Sequence, residues 1–495
     1  MKHEKIEAAA PGDLLRRVKQ AVIWRSGSQI VAQAVAWGST FMVIRLLDPA
    51  DYGLFAMTQV VLVFLNLMNG YGIASALIRA DSVSRTELRQ VFGMLVLLNF
   101  GLGLAQFIAA PAIAGYYRQE AVTDLLRVQA LLYIATPFMA LPHAILSREM
   151  DFKRPAQVRL AAALAGAATA LACALAGWGV WTLVAAPMAL FYVEAIGMTW
   201  AARSLMWPSF RFRGSGSLFG YGAALTGAQF FWFLQSQADV MIAGRSLDPH
   251  ALGIYTTALF LTQILASKFV PPLNEVAFAA YSRIQGQRDV MQGAFLKTVR
   301  LIMLVAMPAY LGLAATAEPL VATVLGEKWL ETAAIVPILA LAMPLLTLQI
   351  LFAPATNALG KPGISLRAAI AGGLVMPLAF LTGVGWGIEG LAWGWLIGMA
   401  LVLVFTASQS LPAIGVSARS VATAVAPGAA AALAMAALVV LAGNNLPPMS
   451  APARLLVLIA VGASSYAALL ALFARDVMID AWMLIRREPA LPPSV

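Results

Sequence analysis

Fourteen apolar stretches of membrane-crossing length follow one another between residues 21 and 473, and this succession constrains the fold more than any other feature. They fall at about 21–46, 53–78, 90–114, 123–146, 157–177, 179–202, 218–246, 250–278, 293–317, 332–356, 365–384, 388–411, 419–441 and 452–473. A helix needs about 20 apolar residues to cross a bilayer core of ~30 Å. Lipid offers the backbone no hydrogen bonds, so uninterrupted stretches of this length become helices. The expected fold is therefore an all-α integral membrane protein with fourteen transmembrane helices. Charged residues make up only 11% of the chain and hydrophobic ones 61%, whereas a soluble domain carries roughly a quarter charged residues. A soluble enzyme, a disordered chain and a disulfide scaffold are all excluded.

The few charges orient the helices. With the N-terminus in the cytoplasm, that side receives 25 of the Lys and Arg residues and the outer side six: Arg45, Arg118, Arg127, Arg245, Lys328 and Arg454. Basic residues stay on the cytoplasmic side of spans, so an even number of spans with both termini inside, in a bacterial inner membrane, fits the asymmetry. The net charge of +10 is topological and does not argue for nucleic acid. Residues 1–20 are polar, without the apolar core of a signal peptide, which leaves the first span as its own insertion signal. Cys173 stands alone and His3, His143 and His250 are scattered, so neither a disulfide nor a metal site is expected. All links are short, which argues against the long outer catalytic loop of a membrane polymerase, and no catalytic residue is assigned.

Two pairs of motifs repeat. Arg45-Leu46-Leu47-Asp48-Pro49 with Gly53 and Phe55 joins the first two spans, and Arg245-Ser246-Leu247-Asp248-Pro249 with Gly253 and Tyr255 joins the seventh and eighth. Gly177-Trp178-Gly179 and Gly385-Trp386-Gly387 form the second pair, in the same order. The chain reads as a cytoplasmic segment 1–20, a six-helix lobe 21–213, a second lobe 214–415, two further helices in 416–473, and a cytoplasmic tail 474–495. Copies of six spans share one orientation, a parallel internal repeat. The tail, with Trp482 and Ile485 among Arg486 and Arg487, is either an interfacial amphipathic helix or the end of the last span.

Polar side chains inside spans need a partner or a watery cavity. Arg25, Gln29 and Gln33 share one face of the first span, and Asn66 and Asn69 lie near one face of the second. Gln235 and Asp239 stand one turn apart in the seventh span, with Trp232 above them. The eighth carries Asn274 on one stripe and Lys268 and Glu275 on a neighbouring one, with Pro271-Pro272 expected to kink it. Arg25, Gln29, Gln33, Asn66, Asn69, Gln235, Lys268 and Asn274 are the candidate substrate-binding residues, each alternatively helix–helix glue or, for Arg25, a side chain reaching headgroups. Asp239 and Glu275 are candidates for ion coupling or for ion pairs, Asp239 with Lys268 or Arg245 and Glu275 with Lys268. Glu194 reads as a lone interfacial carboxylate.

The motifs are also recognisable together. Arg45 through Phe55, Gly72-Ile73-Ala74-Ser75-Ala76-Leu77-Ile78-Arg79, Ala144 through Phe152, Asp239 through Arg245 with Leu252-Gly253-Ile254-Tyr255, Tyr281-Ser282-Arg283-Ile284-Gln285 and Leu325 through Leu330 follow in an order that resembles the polysaccharide-transporter (Wzx-type) oligosaccharide flippases. These belong to the multidrug/oligosaccharidyl-lipid/polysaccharide exporter superfamily. The resemblance, through about residue 410, implies two six-helix lobes working by alternating access. It also implies an undecaprenyl-diphosphate-linked oligosaccharide as substrate, membrane lipids and the polysaccharide polymerase machinery as partners, and no cofactor beyond an H⁺ or Na⁺ gradient. Such a substrate would place its diphosphate on Arg25 or Lys268 and its sugars among Gln and Asn. Alternatives are a drug or cation exporter or a peptidoglycan-precursor flippase of the same superfamily, and a membrane glycosyltransferase or polymerase.

Overall fold

The structure is a computed structural model that describes residues 33–69, 77, 83–211 and 216–473. Arg25, Gln29, most of the segment from Gly72 to Arg79 and the expected tail helix lie outside the described residues. All regular structure among the described residues is helical. Ten helical segments there are long and apolar enough to cross a membrane, which makes the chain a multi-pass membrane protein.

In chain order the helices are α1 (residues 33–46), α2 (Pro49–Asn66), α3 (Arg85–Tyr117), α4 (Ala121–Gln129), α5 (Leu132–Ala135), α6 (Pro137–Arg148), α7 (Lys153–Leu175), α8 (Val180–Ala201) and α9 (Gly216–Ser246). They continue with α10 (Pro249–Lys268), α11 (Val270–Ile284), α12 (Arg288–Ala315), α13 (Ala317–Val324), α14 (Thr332–Ile350), α15 (Phe352–Ala358), α16 (Pro362–Gly383), α17 (Gly387–Ile414), α18 (Ala418–Asn445) and α19 (Ala451–Phe473). Residues up to Gly227 and from Ala228 onward form two compact units, and the division falls within α9.

In the first unit α7 packs along α8. Buried Ala162, Gly166 and Ala170 lie four residues apart on α7, and a stripe of small residues is what lets two membrane helices approach closely. In the second unit α12 packs on α18, α16 on α17, and α14 on both α10 and α17. The last two helices are part of this unit: Ala432, Met435 and Val439 of α18 cluster with Leu311 of α12 and Leu458 of α19.

The repeated motifs are repeated backbone devices. Pro49 and Pro249 each open a helix behind an extended Asp, Asp48 or Asp248. Asp248 accepts a hydrogen bond from the Ala251 N–H at 2.9 Å, satisfying one of the donors that a helix start leaves unpaired, while proline gives up an N–H the first turn does not need. The second motif ends each time in a glycine of the same unusual conformation: Gly179 at φ 52°, ψ −132° and Gly387 at φ 70°, ψ −151°. That region is essentially closed to side chains. The expected kink in the eighth span is a one-residue interruption. α10 ends at Lys268, and Phe269 keeps a right-handed helical conformation (φ −99°, ψ −35°) and donates its N–H to the Leu265 carbonyl at 3.1 Å. Pro271-Pro272 sit in the first turn of α11, where the missing N–H groups are least needed.

Substituting Gly387→Ala forces a Cβ into this conformation and is expected to cost about 1–3 kcal/mol. Thermal unfolding in detergent, compared with Gly363→Ala at an open helical site, checks the assignment; equal melting points would contradict it.

Candidate functional site

Two polar features lie inside the second unit, and both use α9. The first is a cavity of about 470 Å³. Trp232 and Gln235 reach it from α9, Asn274 and Glu275 from α11, and Thr406 and Ser410 from α17. Gln235 is 6% exposed and its side-chain oxygen lies against Gly372 of α16, so closely that a Cβ there would collide with it. Glycine at 372 is what gives Gln235 its place.

Three buried polar atoms of this wall have no hydrogen-bond partner among the described residues: Asn274 Oδ1, Thr406 Oγ1 and Ser410 Oγ. The other end of the Asn274 amide donates to the Ile350 carbonyl at 3.4 Å. Opposite, Ser365 donates to Asn357 Oδ1 at 2.9 Å. Leaving a buried polar atom unpaired costs about 1–3 kcal/mol; these three belong to lining residues but sit beneath the cavity surface. Among the described residues no Lys or Arg lines the cavity, and Glu275 is its one carboxylate. The wall combines amides, hydroxyls and the faces of Trp232 and Phe278, which suits an uncharged polar ligand such as a sugar.

The second feature is Asp239, one turn beyond Gln235 and fully buried. Its Oδ2 accepts from the Tyr255 hydroxyl of α10 at 2.9 Å and from Trp395 Nε1 of α17 at 3.1 Å, and its Oδ1 from the Val240 N–H at 2.8 Å. Trp395 Nε1 also lies 2.8 Å from the Tyr255 oxygen. A carboxylate in an apolar interior persists only with such partners, and these three donors are neutral. Asp239 therefore joins α9, α10 and α17 at one point. Among the described residues no group of His, Cys, Asp and Glu is placed to hold a metal ion.

The cavity thus brings together Gln235, Asn274 and Glu275 of the residues expected from sequence. Lys268 is elsewhere: it is the exposed last residue of α10, and the interruption at Phe269 puts it on a different helix from Glu275. Neither is in a salt bridge with the other or with Asp239 among the described residues. In the first unit Gln33 is half-buried and Asn66 exposed. Asn69 is 7% exposed, donates to Asn66 Oδ1 at 3.3 Å and offers its carbonyl to Asn99 Nδ2 at 3.1 Å, which ties α2 to α3. Glu194, expected to stand alone, is paired with Arg159 at 3.3 Å because α7 runs alongside α8. Tyr255, Trp395, Thr406 and Ser410 were not expected in a site. Tyr255 carried a signal, as the aromatic of the repeated motif; the other three had none.

Fold and site together define a multi-pass membrane protein, all-helical over the described residues, with a polar cavity inside a helix bundle. The chain belongs to the family described as "Polysaccharide biosynthesis protein", whose profile matches residues 42–334. It is 24% identical over 282 residues to the teichuronic acid biosynthesis protein TuaB of Bacillus subtilis, covering 56% of this chain and 58% of that one. It is 22% identical over 328 residues to the lipopolysaccharide biosynthesis protein WzxC of Escherichia coli, covering 64% of each. The match thus spans about three-fifths of the length of these relatives. The fold is that of the lipid II flippase MurJ in an inward closed conformation, with a TM-score of 0.76 over 92% of this chain and 100% of that one at 12% identity.

Removing the indole N–H with Trp395→Phe leaves the buried Asp239 one donor short, and a loss of about 1–3 kcal/mol is expected. Thermal unfolding of the purified protein measures it. A change within experimental error would mean that the Trp395 contact does not hold the carboxylate.

Proposed function

We propose that the protein flips undecaprenyl-diphosphate-linked oligosaccharide repeat units from the cytoplasmic to the periplasmic leaflet of a bacterial inner membrane, for surface or exopolysaccharide biosynthesis. In this reading it is a transporter and not an enzyme, it crosses the membrane fourteen times with both termini inside, and two six-helix lobes with two added helices alternate access. The polymerase machinery then takes up the product.

The observation that carries the proposal is the polar cavity, whose amide- and hydroxyl-bearing residues beside Trp232 and Phe278, with no Lys or Arg among the described lining residues, match a sugar. Family membership and the relatives' names as polysaccharide biosynthesis proteins support it. A drug or cation exporter is a poorer fit, since the cavity holds a single carboxylate. For the anionic diphosphate we assign Lys268, the exposed cation just ahead of the helix interruption, and Arg25. An H⁺ gradient is the preferred driving force, with Asp239, the one fully buried carboxylate among the described residues, as the proton-carrying group. Its surroundings are N–H and O–H donors, whereas Na⁺ would need several oxygen acceptors.

Depleting the protein is expected to make lipid-linked repeat units accumulate, and mass spectrometry of the lipid extract identifies them. Normal surface polysaccharide with no accumulation would refute the flippase assignment. Lys268→Ala and Asn274→Leu should each lower complementation at least about tenfold, the value of one lost interaction of ~1.4 kcal/mol, with expression intact. Asp239→Asn keeps the side chain's shape; it should abolish gradient-driven transport in proteoliposomes. Transport that survives this change would leave Asp239 a purely structural tie.

A further inference from the structure

The proposed function makes no use of a second basic, hollow place in the first unit. Where the start of α7 meets the end of α8 lies a cavity of about 500 Å³, within the roughly 300–1,000 Å³ that small-molecule sites occupy. Arg154, Gln157 and Arg203 supply its polar side chains and Val158, Ala161 and Val193 an apolar groove, and among the described residues no carboxylate lines it. Charge at one end and an apolar groove running from it are the two halves of an amphiphile's binding site.

The two arginines are held differently. Arg154 is 56% exposed, lies 3.2 Å from Asp151 and donates to the Ala201 carbonyl at 3.3 Å, so it spans from α7 to the last turn of α8. Asp151 also accepts from the Lys153 and Arg154 N–H groups, each at 3.1 Å. The start of α7 is therefore already capped, and the guanidinium groups rather than the helix end carry the attraction. Asp151 is the partner of Arg154, whereas Arg203 is in no salt bridge among the described residues; the Arg159–Glu194 pair further along is neutral.

Arg203 has the less ordinary position. It follows the C-cap of α8 with φ at +48°, and its N–H and that of Ser204 bond to the Trp200 and Thr199 carbonyls, each at 3.1 Å. This is the left-handed residue of a helix-ending motif that glycine ordinarily fills. The backbone conformation, disfavoured for side chains and shared by Arg118 and Met150, sets where the Arg203 side chain leaves the end of α8. Trp200, 84% exposed at the same helix end, is the kind of residue that stands at headgroup level.

We propose that this cavity binds an anionic glycerophospholipid, its phosphate held by Arg154 and Arg203, its glycerol by Gln157, and one acyl chain in the groove beside Ala161. Charge complementarity sets the headgroup. The groove sets the tail, which a soluble phosphate lacks. A lipid held there would cross-link the ends of α7 and α8.

The test is native mass spectrometry of the detergent-purified full chain offered phosphatidylglycerol or phosphatidylcholine with the same acyl chains. The wild type should retain phosphatidylglycerol roughly tenfold better, the value of one charge-assisted contact. The double substitution Arg154→Gln, Arg203→Gly should abolish the preference. Arg203→Gly alone should lower it in a protein with unreduced melting point, because glycine is at ease in this backbone conformation. Ala161→Phe fills the groove and should reduce retention of phosphatidylglycerol with both arginines present. As a matched control, Arg118→Gly removes another exposed arginine with positive φ, at the end of α3, and should leave the preference intact. Inorganic phosphate in excess should not displace the lipid. The proposal is overturned if wild type shows no preference, if the double variant keeps it, or if Arg118→Gly removes it equally. Displacement by phosphate with no effect of Ala161→Phe would also overturn it, in favour of a simple anion site.

Discussion

A carboxylate buried in a membrane-spanning helix must be surrounded by donors, and Asp239 organises the second unit around that requirement. Lipid supplies no donors, and Tyr255, Trp395 and the Val240 N–H meet the need. Each donor comes with its helix. Satisfying one side chain therefore fixes α9, α10 and α17 to a common point, and Gln235, one turn from Asp239, takes its direction from the same frame. The cavity wall is built on the far side of this tie, where Asn274, Thr406 and Ser410 are left with unfilled hydrogen-bonding capacity. Saturation at Asp239 and want at the cavity are neighbouring consequences of one polar face on α9.

The first unit repeats the turns without repeating the tie. Counting back by the offset of the first motif pair, 200 residues, Asp239 corresponds to Ser39 and Tyr255 to Phe55; by the offset of the second, 208 residues, Trp395 corresponds to Pro187. Serine carries no charge that must be met, phenylalanine has no hydroxyl and proline no indole N–H. Among the described residues Ser39 makes a long bond, 3.4 Å, to the Ala167 carbonyl. What the halves share is what any helix pair needs, an Asp-Pro start and a glycine in a backbone region closed to side chains. What distinguishes them is the polar interior. The two units are alike at these corners and unlike in their buried chemistry.

That difference also explains which parts of the molecule were legible from the residues alone. Helix starts and turns depend on neighbours in sequence, so Asp248-Pro249 and Gly385-Trp386-Gly387 announce themselves. Gln235, Asn274 and Asp239 stand out because amides and carboxylates are rare in apolar stretches. Trp395 does not: it lies 156 residues from Asp239 and looks like any aromatic in a span. Thr406 and Ser410 were invisible for another reason. Hydroxyls in helices ordinarily satisfy themselves on a carbonyl of their own preceding turn, and nothing local shows that these two do not. The pairing of Lys268 with Glu275 assumed one continuous helix. Pro271-Pro272 signalled a bend, but whether a bend becomes an interruption depends on tertiary packing.

The absence of basic side chains from the cavity lining bears on how an anionic amphiphile could be handled at all. A cation buried in a membrane interior is costly to desolvate, and a tightly paired phosphate there would be costly to release. A sugar exchanges water hydrogen bonds for amide and hydroxyl ones at nearly equal strength. In the proposed reading, a cavity without described basic lining residues suits the sugar part of the substrate, while Arg154 and Arg203, at the ends of α7 and α8, stand where cations cost less. The charged groups of the interior are carboxylates instead: Asp239, held by its three donors, and Glu275 at the cavity.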